Sequence, residues 1–218
     1  MAKTFSLANN YDEALAEAKR ILLADGTLIY PTDTLYGLGC NALSEKAVAK
    51  IYSIKAREAG KPLSIIVSDY AMLKQYCDVP PAQERILHAL LPGPYTFILK
   101  LRKKLPVSPA IEIQRASPSV SPTASQLTIG IRVPEHYFMR QVSKELGMPI
   151  VSTSANISGK KDAAKLSDVD KEVSSRADLL IDNGACAYGK GSTVIDLIRM
   201  KILRKGAVRK GDAFEFAD

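Results

Sequence analysis

Leu63-Ser64-Ile65-Ile66-Val67 and Tyr95-Thr96-Phe97-Ile98-Leu99 are two runs of strand length, rich in β-branched and aromatic residues. Between them the apolar period changes, and the spacing predicts helices around Met72 to Tyr76 and Gln83 to Leu91. Strands taking turns with helices predict an α/β sheet with helices packed on it. The same alternation extends in both directions. Towards the N-terminus, Leu15, Ala18 and Leu22 share one face of a helix from about Tyr11 to Ala24, with Asn10 as N-cap and Gly26 as its stop. Thr27-Leu28-Ile29-Tyr30 then reads as a short strand broken by Pro31, followed by a turn at Thr32-Asp33-Thr34 and by Gly37 and Gly39. A second helix begins after Ser44 and puts Lys55 and Arg57 at its end.

Towards the C-terminus, Thr128 to Val133 reads as a strand, Pro134 as the start of a helix that Gly147 ends, and Pro149 to Ser152 as a strand. Further strands are expected at Leu179 to Ile181, Ser192 to Leu197 and Lys201 to Arg204. The last two are close enough to form a hairpin, so the sheet is expected to be mixed. Ser108 to Ser125 breaks the rhythm: it is crowded with Ser, Pro and Thr, and reads as a flexible insertion.

With 218 residues, 46% of them hydrophobic, one domain over 1–218 can bury a full core. No run of eighteen or more apolar residues occurs, and the first residues lack an apolar signal core, so a cytoplasmic chain without a membrane span is expected. Three cysteines without a C-x-x-C pair and only two histidines argue against a disulfide framework, a zinc site or a histidine triad. The formal net charge of +7 favours a polyanionic partner or simply solubility.

No phosphate loop, dinucleotide fingerprint or nucleophile elbow is present. What remains are short polar motifs at the ends of expected strands and helices, where ligands gather in open α/β sheets. Lys55, Arg57 and Lys61 can neutralise an anion such as a triphosphate, or can be an ordinary solvated helix end. Ser152-Thr153-Ser154-Ala155-Asn156 offers hydroxyls and an amide to phosphate or ribose oxygens, or else forms a capping turn. Ser192-Thr193 follows Gly189-Lys190-Gly191, which permits close approach of backbone N–H groups to an anion or merely a tight turn. Arg132 and Arg204 sit on strands, where an arginine must snorkel, pair or bind a ligand.

Pro31-Thr32-Asp33-Thr34-Leu35-Tyr36-Gly37-Leu38-Gly39, Lys55-Ala56-Arg57, Lys61-Pro62-Leu63, Pro92-Gly93-Pro94-Tyr95-Thr96, Arg132-Val133-Pro134, Ser154-Ala155-Asn156, Ser192-Thr193-Val194 and Leu203-Arg204-x-Gly206, in this order from Tyr11 to Gly206, resemble the YrdC-like family. Its K-x-R…S-x-N signature is matched by Lys55, Arg57, Ser154 and Asn156. The resemblance implies a twisted, open, mixed α/β sheet with a basic concave face. It also implies synthesis of threonylcarbamoyl-AMP from threonine, bicarbonate or carbon dioxide, and ATP, with pyrophosphate released, for a tRNA modification. By the same resemblance Thr32, Arg132, Ser152 and Ser192 hold threonine; Arg57, Lys61, Thr128, Ser154 and Arg204 hold ATP; and Lys55 and Asn156 complete the catalytic signature. Magnesium is expected with the triphosphate and not in a protein cage. The chain ends about a dozen residues past Gly206. It is therefore expected to be the short form, which hands its product to a transient partner transferase complex. Tyr95 to Lys100 and Thr193 to Asp196 also resemble the YciO branch, and Ile66 stands where the family's synthases often carry a histidine. The alternative from another class is a tRNA-binding or double-stranded-RNA-binding protein without turnover.

Overall fold

The computed structural model describes residues 2–57, 63–102 and 127–212. Lys61 and the Ser108 to Ser125 insertion lie outside the described residues. In chain order the strands are β1 (Lys3–Ser6), β2 (Thr27–Tyr30), β3 (Gly37–Asn41), β4 (Ser64–Ile66), β5 (Cys77–Asp78), β6 (Tyr95–Leu101), β7 (Thr128–Arg132), β8 (Ile150–Ser154), β9 (Leu179–Asp182), β10 (Thr193–Asp196) and β11 (Lys201–Arg204). The helices are α1 (Tyr11–Leu23), α2 (Glu45–Ile54), α3 (Tyr70–Tyr76), α4 (Pro81–Leu90), α5 (Tyr137–Leu146) and α6 (Lys171–Ser174). All the strands join one sheet in the order β1-β9-β2-β3-β8-β4-β7-β6-β10-β11, with β5 paired to β6. The sheet is mixed: β4 runs parallel to β7 and antiparallel to β8, and β10 and β11 form the antiparallel hairpin that the sequence implies.

Side-chain alternation gives the sheet two unlike faces. One is apolar throughout: Ile29, Leu38, Ile65, Val151, Ile129, Ile131, Phe97 and Ile195 join residues of α2, α3, α4 and α6 in the larger core. On the other face α1 and α5 pack over Leu28, Tyr30, Ile66 and Ile150 in a second core. Two residues along the same strands, Ile66 gives way to Ser64 and Ile150 to Ser152. Beyond the reach of α1 and α5 this face is therefore uncovered and carries polar residues among apolar ones.

The helix starts follow from local chemistry. Ser44 Oγ accepts the Ala47 N–H at 3.1 Å, and Asp69 Oδ1 accepts that of Met72 at 2.8 Å. Asn10 does occupy the N-cap of α1, but its side chain makes no capping bond. Helix α5 starts at Tyr137 and not at Pro134, because the preceding backbone is engaged elsewhere: Val133 O accepts the Gly93 N–H and the Glu135 N–H donates to Asp33 Oδ2. Gly147 ends it in the left-handed region, at φ 63°. Strands β1 and β5 and the short α6 are additions that the apolar pattern did not signal.

The sequence predicts no strand at Gly37 and Gly39, which follow the turn at Thr32-Asp33-Thr34, yet both lie in β3, between β2 and β8. The glycines are there for space. A Cβ on Gly39 would stand 2.3 Å from Val151 O and 2.8 Å from Tyr30 Oη, and one on Gly37 would stand 2.9 Å from the Tyr30 ring. Tyr30 thus lies across β3 where side chains would otherwise project. Gly39→Ala is expected to destabilise the fold by about 3 kcal/mol, the upper range for overpacking against atoms that cannot move aside. A urea midpoint within error of the unsubstituted protein would contradict this account of β3.

Candidate active site

The uncovered part of this second face forms a cavity of about 370 Å³. Its floor is the alternate residues of successive strands: Gly37 of β3, Ser152 and Ser154 of β8, Ser64 of β4, Thr128, Gly130 and Arg132 of β7, and Thr96 and Ile98 of β6. Val194 of β10 and Leu203 and Arg204 of β11 close one side. The small residues in the middle of this floor make the depth, since larger ones there would fill it.

One end is organised by a buried ion pair. Arg132 Nη2 donates to Asp33 Oδ1 at 2.9 Å and to Thr34 Oγ1 at 3.0 Å, and the two charged side chains are 9% and 2% exposed. Asp33 Oδ2 accepts the Glu135 N–H at 3.0 Å, so the carboxylate is held from two sides. Arg132 Nε, in contrast, is buried with no hydrogen-bond partner among the described residues. A buried N–H without a partner is costly unless an acceptor, from water or from a ligand, reaches it. Thr32 builds the turn beneath: its hydroxyl donates to Leu35 O at 2.7 Å and accepts the N–H groups of Thr34 and Leu35. Ser192 Oγ lies 2.8 Å from Thr96 Oγ1 and accepts from Arg204 Nη2 at 3.2 Å, which ties Arg204 back onto the wall.

The other end carries Arg57, Ser154 and Asp162. Behind it Lys55 is 1% exposed, and its ammonium donates to Ser154 O at 2.5 Å, Asn156 O at 2.6 Å and Asn156 Oδ1 at 3.1 Å. Burial, with the neighbouring Arg57 charge, lowers the Lys55 pKa to about 8, against a smaller opposite pull from Asp162. At neutral pH the group is still a cation with all three donors used.

Of the residues singled out in the sequence, Thr32, Arg57, Thr128, Arg132, Ser152, Ser154, Ser192 and Arg204 line this one cavity. Lys55 and Asn156 stand behind its wall and hold the end of β8 that carries Ser154. Ile66 is fully buried with Tyr30 and Phe138 under α5, away from the lining. Asp33, bonded to Arg132, and Asp162, in the lining, are residues to which sequence reasoning gave no role. Asp33 belongs to a conspicuous polar turn, but its partner lies 99 residues away. Among the described residues no group of three or more His, Cys, Asp or Glu is placed to hold a metal ion, and no helix is long and apolar enough to cross a membrane.

The Sua5/YciO/YrdC family model, described as "Telomere recombination", matches residues 20–206. A protein of Methanocaldococcus jannaschii named putative threonylcarbamoyl-AMP synthase is 39% identical over 193 residues, which are 88% of this chain and 83% of that one. Among solved structures, P. abyssi Sua5 complexed with L-threonine is 28% identical with a TM-score of 0.79, covering 94% of this chain and 57% of that longer one. E. coli YciO is 26% identical with a TM-score of 0.80, covering 97% and 98%.

Proposed function

This chain belongs to the Sua5/YciO/YrdC family, and we propose from that membership and its cavity that it makes threonylcarbamoyl-AMP from threonine, bicarbonate or carbon dioxide, and ATP, for threonylcarbamoyladenosine formation in tRNA. The observation that carries the reading is the placing of cations at opposite ends of one cavity: the buried Arg132 at one end, and Arg57 beside Ser154 at the other, with Arg204 on the side wall. The first suits the carboxylate of an amino acid and the second suits a polyphosphate, because a guanidinium donates charge-assisted hydrogen bonds to both kinds of anion. A synthase that joins threonine to ATP needs both at once.

The reaction asks for alignment and charge neutralisation more than for a strong base. Threonine's amine adds to carbon dioxide and loses a proton, giving a carbamate. A carbamate oxygen attacks the α-phosphorus, the bond to the β,γ unit breaks, and its electron pair leaves with pyrophosphate. Arg57 and Arg204 offset repulsion between the anionic carbamate and the triphosphate, and Arg132 holds the carboxylate out of the way. Ser154 and Asp162 offer oxygens of the kind magnesium takes, and the ion, arriving with the triphosphate, would add to the neutralisation. The product is a mixed anhydride that water destroys, so handover to tRNA calls for a transient partner transferase complex. The RNA-binding alternative is not favoured, since the relatives carry the name of a synthase.

The direct test is release of AMP and pyrophosphate from ATP by the purified chain, with threonine and bicarbonate omitted in turn. Turnover should need both; turnover indifferent to either would contradict the reading. A second expectation concerns pH. Turnover should fall as pH rises through about 8, because a neutral Lys55 has one donor too few for the three oxygens it holds. Stability should not fall with it. The unfolded lysine keeps its proton to about pH 10.4, so between the two values the unfolded state binds more protons and the linkage term rises with pH. A rate flat to pH 10, or a loss of rate that tracks unfolding, would contradict this.

A further inference from the structure

Lys55 dictates which groups the adjoining wall offers to a ligand. An ammonium donates three hydrogen bonds and accepts none, so the Asn156 atom 3.1 Å from Lys55 Nζ must be the carboxamide oxygen. The amide nitrogen then points the other way, where it donates to Lys160 O at 2.7 Å and to Asp162 Oδ1 at 3.2 Å. Ser154 Oγ lies 2.6 Å from the same Asn156 oxygen, which can only accept. The Ser154 proton is therefore turned inward, and its hydroxyl offers the cavity lone pairs. Asp162, on the other side of that carboxamide and also in the lining, offers more of them. Two acceptors flank one amide, next to the arginine that suits phosphate.

A bare triphosphate would meet these oxygens with repulsion. A hard cation would not. Magnesium is commonly held by one or two carboxylates together with substrate phosphates and water, and the described residues contain no larger ligand group that would hold it without the substrate. We propose that Ser154 and Asp162 hold the divalent cation that accompanies the nucleotide, between the wall and the phosphates that Arg57 neutralises. Lys55 is then a positioning residue, acting through Asn156 to set the polarity of Ser154. The inference rests on the nucleotide reading above and deepens it.

The test is calorimetric binding of an ATP analogue with an α,β-methylene bridge, which cannot react, in excess magnesium and in EDTA. The unsubstituted protein should bind it at least about tenfold more tightly with magnesium. Asp162→Asn should remove most of that preference, weakening the magnesium arm by at least about tenfold, a loss typical even of outer-sphere partners of a metal. The EDTA arm should be unchanged or tighter, since a carboxylate facing phosphate is gone. Asp162 is exposed, so the urea midpoint should not move. An undiminished magnesium preference in Asp162→Asn would overturn the proposal, because the phosphates alone would then carry the cation. Equal weakening of both arms would also overturn it and assign Asp162 to a ribose hydroxyl. Failure of the unsubstituted protein to bind the analogue in either arm would remove the nucleotide reading itself, and this site with it.

Discussion

Arg57→Ala is expected to lower turnover by at least about a hundredfold and to leave the chain folded. The size follows from what the residue faces. Two anions, a carbamate and a triphosphate, must meet in a cavity walled by protein, where the charge of one guanidinium counts for more than in water. Loss of one such preorganised donor typically costs about a hundred- to a thousandfold in rate. The fold should tolerate the change, because Arg57 lies past the end of α2, is half-buried, and belongs to neither core. Turnover is read from pyrophosphate release and folding from the urea midpoint. A folded variant that keeps most of its turnover would take Arg57 out of the reaction.

Arg132→Met is expected to damage both fold and function, and the two losses should be separable. Its partner Asp33 is 2% exposed, so the substitution leaves a carboxylate buried without its cation. Breaking a buried pair from one side costs about 3–5 kcal/mol. Adding Asp33→Asn removes the unpaired charge and should restore much of that stability. It should not restore threonine binding, because the N–H groups that meet the substrate carboxylate are still missing. The KM for threonine should therefore stay raised by at least about tenfold in both the single and the double variant, the loss expected when a charged hydrogen bond of 1.5–3 kcal/mol is removed. Recovery of both properties in the double variant would make Arg132 a purely structural residue.

The strands and helices that carry the cavity were legible in the sequence where local period and tertiary packing agree. In Thr96-Phe97-Ile98-Leu99 and Thr128-Ile129-Gly130-Ile131-Arg132, Phe97, Leu99, Ile129 and Ile131 face the larger core while the alternate residues face the cavity, Ile98 being the one apolar member among them. The strand at Gly37 to Asn41 was not legible. Its glycines are explained by the ring of Tyr30 and the carbonyl of Val151, neither of which its own local pattern reveals. The charged members of the site divide in the same way. Arg57 and Arg132 stand where a cation at an element's end would be sought. Lys55 is also a cation at the end of an element, yet its donors are spent on the chain's own oxygens. Sequence cannot tell a cation that meets a ligand from one that holds a loop, because the difference lies in contacts made about a hundred residues away.

The central claim is that this cavity joins carboxylated threonine to the α-phosphorus of ATP. Its most direct test is mass spectrometry of the product formed from ATP, threonine and carbon-13 bicarbonate. The account predicts threonylcarbamoyl-AMP carrying the labelled carbon, formed together with pyrophosphate and only when threonine is present. Conversion of ATP to ADP and phosphate, or to AMP with no labelled adduct trapped at early times, would contradict it.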